Sequence, residues 1–142
     1  MSHPAHDPEL AEALLELCCV IEGIRAAASR ELGLTPQQAQ LLTTVAPQEL
    51  THGELASQLH CDKTNITGLV DRLERRELVR RRPDAEDRRV TKVFVTDQGA
   101  ELVTRFRKAV STAIAEPLAS WPATRHHQLV TLARTTTEAL RR

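Results

Sequence analysis

Aromatic residues make up only 2% of the 142-residue chain: two Phe, one Trp and no Tyr. A core must then be built from Leu, Val, Ile and Ala, which suits helix packed on helix. Long apolar runs are also missing. No stretch approaches the ~20 residues that span a bilayer, and the first residues, Met1 to Asp7, have neither the basic start nor the apolar run of a signal peptide. A soluble cytoplasmic protein without membrane contact is expected. The five glycines are scattered singly, which leaves no glycine-rich phosphate loop, and no carboxylate pair is tied to a strand end. An enzyme is therefore not expected. Cys18, Cys19 and Cys61 form an odd set without zinc-ligand spacing, which fits a reducing compartment. The histidines pair only as His3/His6 and His126/His127, and helical neighbours such as the second pair point apart. No metal and no cofactor are expected.

A net charge of zero argues against a generic nucleic-acid binder, but the charge is unevenly spread. Residues 1–62 carry nine acids against two bases. Residues 63–92 carry ten bases (Lys63, Arg72, Arg75, Arg76, Arg80, Arg81, Arg82, Arg88, Arg89 and Lys92) against six acids. A basic segment in a neutral protein has the form of a local DNA footprint, although a solvated charged face has the same composition.

Element starts are marked by caps. Asp7-Pro8 opens a helix of about 24 residues, in which Leu10, Leu14, Leu17, Ile21, Ile24 and Ala28 form a narrow apolar seam suited to a partner helix. Gly33 is placed to end it. Thr35 to Gln38 is a capping box with Pro36 at the first turn, and Leu41, Leu42 and Val45 give that helix its apolar face. Pro47 ends it. Thr51 to Glu54 is a second capping box, opening a short helix with Leu55, Ala56 and Leu59 inward. Asp62 caps a fourth helix that buries Ile66, Leu69, Val70 and Leu73. The period then changes. Residues 78–82 and 90–95 form two extended runs around the polar turn 83–89, predicting a two-stranded hairpin. Thr96 caps a fifth helix carrying Leu102, Val103, Phe106, Val110 and Ile114 to Pro117. Ser120 is placed to start a sixth, with Leu129, Val130, Ala133 and Leu140. Trp121 is expected as a packing anchor. The fold class is mainly α with a small β-hairpin, in the order α-α-α-α-β-β-α-α.

The informative stretch is 51–95. A short helix, a tight turn at His60-Cys61 and a second helix with inward Ile66 and Leu69 satisfy the packing needs of a helix-turn-helix, with the small Ala56 permitting a close crossing. The second helix then presents Thr64, Gly68, Asp71 and Arg75, flanked by Lys63, Asn65, Thr67 and Arg72. Hydroxyl, amide and guanidinium groups there suit phosphates and base edges. Gly68 costs such a helix about 1 kcal/mol against Ala, which either close backbone approach to DNA or surface drift accounts for. The hairpin forms a wing whose tip, Asp87-Arg88-Arg89, suits a minor groove, with Asp87 free to pair with an Arg.

From Thr35 to Leu102 the chain resembles the MarR family of regulators. The resemblance rests on residues 34–38, on Leu55-Ala56 through Leu73-Glu74-Arg75-Arg76, on Asp87-Arg88-Arg89 and on Val93 through Gly99. It implies one winged helix-turn-helix domain over 1–142. Residues 35–95 would form the DNA-binding lobe, and 7–32 and 97–142 the helices of an intertwined homodimer. It implies a pseudo-palindromic operator, with helix 63–76 in the major groove and wing 83–89 at the minor groove. Arg89 falls at the family's minor-groove arginine, with Asp87 as its orienting partner. Repression and release by a small-molecule effector are further expectations of the resemblance. Glu77 departs from the family pattern, which commonly has Gly there, and must accept a left-handed backbone or end the helix differently.

Two other readings stay open at this point. One is a redox-sensing regulator using Cys61, near the start of the recognition helix, or Cys18/Cys19. Cys18 lies beside the apolar seam and is expected as a small core residue, with Cys19 on the opposite face. The other is a winged helix used for protein contacts without DNA binding.

Overall fold

The computed structural model describes residues 5–142. Six α-helices and three short strands follow in the order α1 (Pro8–Glu31), α2 (Pro36–Val45), β1 (Leu50–Thr51), α3 (His52–Gln58), α4 (Lys63–Arg75), β2 (Val79–Pro83), β3 (Thr91–Val95), α5 (Asp97–Ala115) and α6 (Ala123–Leu140). Contacts group the chain into two compact units, one through Val110 and one from Ser111 to Arg142.

In the first unit the helix starts follow from local chemistry. Asp7 accepts from the Leu10 N–H, and Asp62 accepts from the Asn65 N–H. Thr35/Gln38 and Thr51/Glu54 close complete capping boxes. Each such cap stabilises its helix by about 1 kcal/mol. Leu41, Leu42, Val45, Leu55, Ile66, Val70, Leu73, Val79 and Val93 are almost fully buried together, so α2, α3, α4 and the sheet share one aliphatic core. The inward positions expected for α4 are all buried.

Three helices end in the same way. After α1, α3 and α4 the chain turns through a left-handed residue: Gly33 (φ 70°), His60 (φ 53°) and Glu77 (φ 62°). At each, the paired 6→1 and 5→2 hydrogen bonds of a Schellman motif form, as in Leu78 N–H to Leu73 O and Glu77 N–H to Glu74 O. Glu77 thus takes the left-handed course and does not end the helix differently. His60 does the same at the bend between α3 and α4. A non-glycine residue there costs roughly 1–2 kcal/mol, which the buried residues on either side of the bend offset.

The sheet differs from the expected hairpin by one strand. β2 and β3 pair antiparallel with Val79 opposite Val95 and Pro83 opposite Thr91. β1 adds to the other edge of β3, with Leu50 opposite Val93, so the order is β1-β3-β2. A strand of two residues has no period to detect; it exists only because β3 offers it a partner. α5 opens where Thr96 Oγ1 accepts from the Gly99 N–H and donates to the Glu77 carbonyl.

In the second unit, a 3₁₀ turn over Glu116–Leu118 precedes α6, which begins at Ala123 after Pro122. Ser120 does not cap it. The chain is still turning there, with the Trp121 N–H bonded to Leu118 O, and Pro122 sets the first helical residue. Trp121 packs edge-on to His126, and the Arg125 guanidinium lies over its ring at 4.5 Å.

The N-terminal half of the α1 seam is partly uncovered, while Ile21, Ile24 and Ala28 further along are partly or fully buried. Leu10 and Leu17 are about half exposed, at 55% and 49%, and Cys18 is exposed as well. The expectation of Cys18 as a core residue fails within this chain, because Leu17 beside it on the seam is itself exposed. On α6, Leu129, Val130, Leu132 and Leu140 are exposed. No helix is long and apolar enough to cross a membrane among the described residues.

Candidate nucleic-acid interface

The side of α4 away from the core is amphipathic in a specific sense: buried Ile66, Leu69, Val70 and Leu73 hold it down, and nearly everything between them is polar. Thr64 and Arg75 are exposed, and Gly68 lies between them along the same outward stripe. A Cβ on Gly68 would meet nothing within 4 Å, so no neighbour inside the protein requires glycine there. Lys63 and Thr67 lie on the wing side, where the Thr67 hydroxyl donates to the Lys63 carbonyl at 2.9 Å. Asn65 and Arg72 lie on the α2 side, lining a cavity of about 130 Å³ with Gln37, Gln40 and Cys61.

Asp71 departs from the expected outward stripe. It turns to β2, where the Arg81 guanidinium forks across two acids of α4, with Nη2 2.5 Å from Asp71 Oδ1 and Nη1 2.7 Å from Glu74 Oε1. The Arg81 backbone N–H also donates to Glu74 Oε2. This ties the wing to α4 and offsets one of the two negative charges that Asp71 and Glu74 place there. Arg81 stood in the sequence only as one of ten bases. Its partners lie seven and ten residues away, across a change of secondary structure, and local spacing does not reveal them.

The wing tip is ordered by its own side chains. Asp87 accepts from the Arg89 backbone N–H and Nε, both at 3.1 Å, and from Nη2 at 3.3 Å. The Arg89 side chain is 91% exposed all the same. Asp87 therefore aims Arg89 without covering it. Those hydrogen bonds hold the Asp87 carboxyl below its ordinary pKa, so the pair stays ionised at neutral pH. The Asp84 N–H to Val90 O bond closes the loop.

The cations of residues 63–92 divide accordingly. Arg81, Arg82, Arg89 and Lys92 have acidic partners: Asp71 and Glu74, Glu49, Asp87, and Asp84 respectively. Arg76 donates to the Gly33 carbonyl at 2.7 Å, tying the end of α4 to the end of α1. Among the described residues Lys63, Arg72, Arg75, Arg80 and Arg88 form no ion pair and are exposed. Sequence reasoning passed over Arg80, which belongs with these, and His52, which lies in the cleft between α3, α4 and the wing. Cys18, Cys19 and Cys61 are free thiols, with Cys61 partly buried against the core.

Comparison with known proteins bears on the family and the fold. A family model described as the MarR family matches residues 32–90. The chain is 30% identical over 123 residues to the uncharacterized HTH-type transcriptional regulator YdgJ of Bacillus subtilis (strain 168), spanning 86% of this chain and 75% of that protein. It is 33% identical over 82 residues to the HTH-type transcriptional repressor MdtR of the same strain, spanning 55% of this chain and about half, 53%, of that protein. In fold it is similar to a MarR family protein from Bacillus stearothermophilus, with a TM-score of 0.82 and 22% identity over 97% of this chain and all of the other. YdgJ and MdtR are named as regulators of transcription and not as enzymes, and a helix-turn-helix with an adjoining wing is the part a DNA-binding regulator requires. The chain belongs to the MarR family of helix-turn-helix transcriptional regulators.

Proposed function

We propose that the protein is a repressor that binds a pseudo-palindromic operator as a homodimer, with α4 in the major groove and the wing at the adjacent minor groove. The observation that carries this is the disposition of exposed cations on one lobe: Lys63, Arg72 and Arg75 along α4, and Arg89 presented by Asp87 at the wing tip. Thr64, Asn65, Thr67 and Gly68 complete the major-groove face; Asp87, Arg88 and Arg89 form the minor-groove contact. Phosphate contacts by the cations set position, and base-edge contacts by the hydroxyl and amide groups set sequence.

A second copy is the proposed cover for the uncovered apolar side chains of α1 and α6. On this layout residues 35–95 form the DNA-binding lobe, and 7–32 and 97–142 the dimerisation helices. Two-fold symmetry in the protein then requires matching half-sites in the operator. Repression is the simplest outcome for a dimer that occupies promoter DNA, and the relative MdtR carries the name repressor. The protein acts in the cytoplasm, where the DNA is. The cavity beside Cys61, about 130 Å³, is smaller than the ~300–1,000 Å³ typical of ligand sites, so an effector that releases the DNA would need room beyond it.

Arg89→Ala is the direct test. A guanidinium inserted in a groove contributes about 1–3 kcal/mol, so operator Kd should rise roughly 5- to 150-fold. Thermal stability should hardly change, because the side chain is solvated. Unchanged Kd would remove the wing from the interface.

A further inference from the structure

Between the wing and the recognition helix lies an open cleft of about 460 Å³, bordered by Thr51, His52, Gly53, Lys63, Arg81 and Thr91. If α4 occupies a major groove and the wing the neighbouring minor groove, one sugar-phosphate strand separates the two and must cross this ground. The inference therefore rests on the reading above, and names what this part of the surface holds.

His52 is the unusual member. Its Nδ1 lies 3.4 Å from Thr67 Oγ1. The Thr67 hydroxyl lies closer to the Lys63 carbonyl, at 2.9 Å, and donates there, an arrangement that favours the imidazole hydrogen on Nδ1. Nε2, buried and without a hydrogen-bond partner in the free protein, is then the nitrogen that can take a second proton. The charged groups facing the ring are Lys63 and Asp71 from α4 and Arg81 from β2. Asp71 is already engaged by Arg81, which also holds Glu74. Thr51 of β1, Gly53 of α3, Val90 at the end of the wing loop and Thr91 of β3 also border the cleft, all uncharged. Burial first, then Arg81, push the His52 pKa below its ordinary value, with Asp71 opposing and Lys63 adding to the fall. The free protein thus carries His52 neutral at pH 7.

We propose that this cleft seats a backbone phosphate of the operator and that His52 takes up a proton from solvent as it does so, making DNA binding proton-linked. A phosphodiester beside Lys63 adds a negative charge to a site with two cations and one engaged carboxylate, which favours the imidazolium. Binding then raises the proton affinity of His52. By linkage, operator affinity increases as pH falls through the window between the free and bound pKa values, and is flat above it. One proton per recognition unit limits the effect to about tenfold per pH unit.

The test uses the duplex that the full-length protein selects from a random-sequence pool, titrated at constant ionic strength from pH 8 to pH 5.5. The wild type should bind about three- to tenfold more tightly per recognition unit at the acid end. His52→Gln should lose that slope, whereas His60→Gln, at the bend of the helix-turn-helix, should keep it. An NMR titration of the His52 ring should show a higher pKa with the duplex bound than without, and does not depend on the variant folding. A slope that survives in His52→Gln, or a His52 titration identical in free and bound protein, overturns the proposal while leaving the operator reading intact. Failure to bind any duplex at any pH overturns that reading, and this inference with it.

Discussion

Gly99→Ala is expected to destabilise the protein by about 3 kcal/mol or more, lowering Tm by about 10 °C. A Cβ at this position would lie 2.1 Å from the Leu78 carbonyl oxygen and 2.6 Å from Val95 Cγ2. The first of these is backbone and cannot rotate away. The Leu78 carbonyl is also fixed by the Thr96 N–H at 3.1 Å, and Leu78 directly follows the left-handed Glu77 that ends α4. A methyl group at Gly99 thus pushes on the joint where recognition helix, wing and α5 meet. Differential scanning calorimetry of the variant measures it; a Tm within about 2 °C of wild type would mean that the joint is looser than these distances require. Gly99 also closes the stretch from Val93 that carries the family resemblance, and the close approach of Leu78 is a physical reason for glycine there.

The second large effect concerns the apolar side chains left in water. Leu132 and Leu140 are 64% and 75% exposed on α6, and leaving such side chains solvated forgoes about 1.5–3 kcal/mol each. Replacing both with Glu should convert the protein to a monomer on size-exclusion chromatography with light scattering. Operator affinity should then fall by about 100-fold or more, because the second half-site is no longer bound at a high effective concentration. The lobe proposed to contact DNA is untouched by these changes, so near-native circular dichroism should persist. A double variant that stays dimeric would place the dimer contact elsewhere.

What the sequence made legible was chiefly local. Asp7, Thr35, Thr51 and Asp62 were readable as caps because each reaches a backbone N–H three residues on. The buried stripe of α4 was readable because Ile66, Leu69, Val70 and Leu73 repeat with the helix. Contacts between distant residues were harder. β1 depends on β3, some forty residues later, and Arg81 finds its acids on another element. The left-handed turn at His60 carries no glycine to announce it. Ser120 misled because Ser is a good cap wherever a helix begins, but Pro122 decides where this one does. The exposed state of Cys18 follows from the partly uncovered seam, which spacing alone could only assign to some partner. At the candidate site, charge and position in the sequence single out residues between 63 and 75 and at 87–89 as candidates; the partners of Arg81, the exposure of Arg80 and the setting of His52 needed the fold.

The central claim, that α4 and the wing bind operator DNA, is tested most directly by an anisotropy titration of the selected duplex and a scrambled duplex across a salt series. Each phosphate contact contributes about −0.9 to the slope of log K against log [salt]. With the exposed cations of α4 and the wing doubled in a dimer, the account predicts saturable binding that prefers the selected duplex and a slope of about −5 or steeper. Weak binding, equal on both duplexes and indifferent to salt, would contradict it.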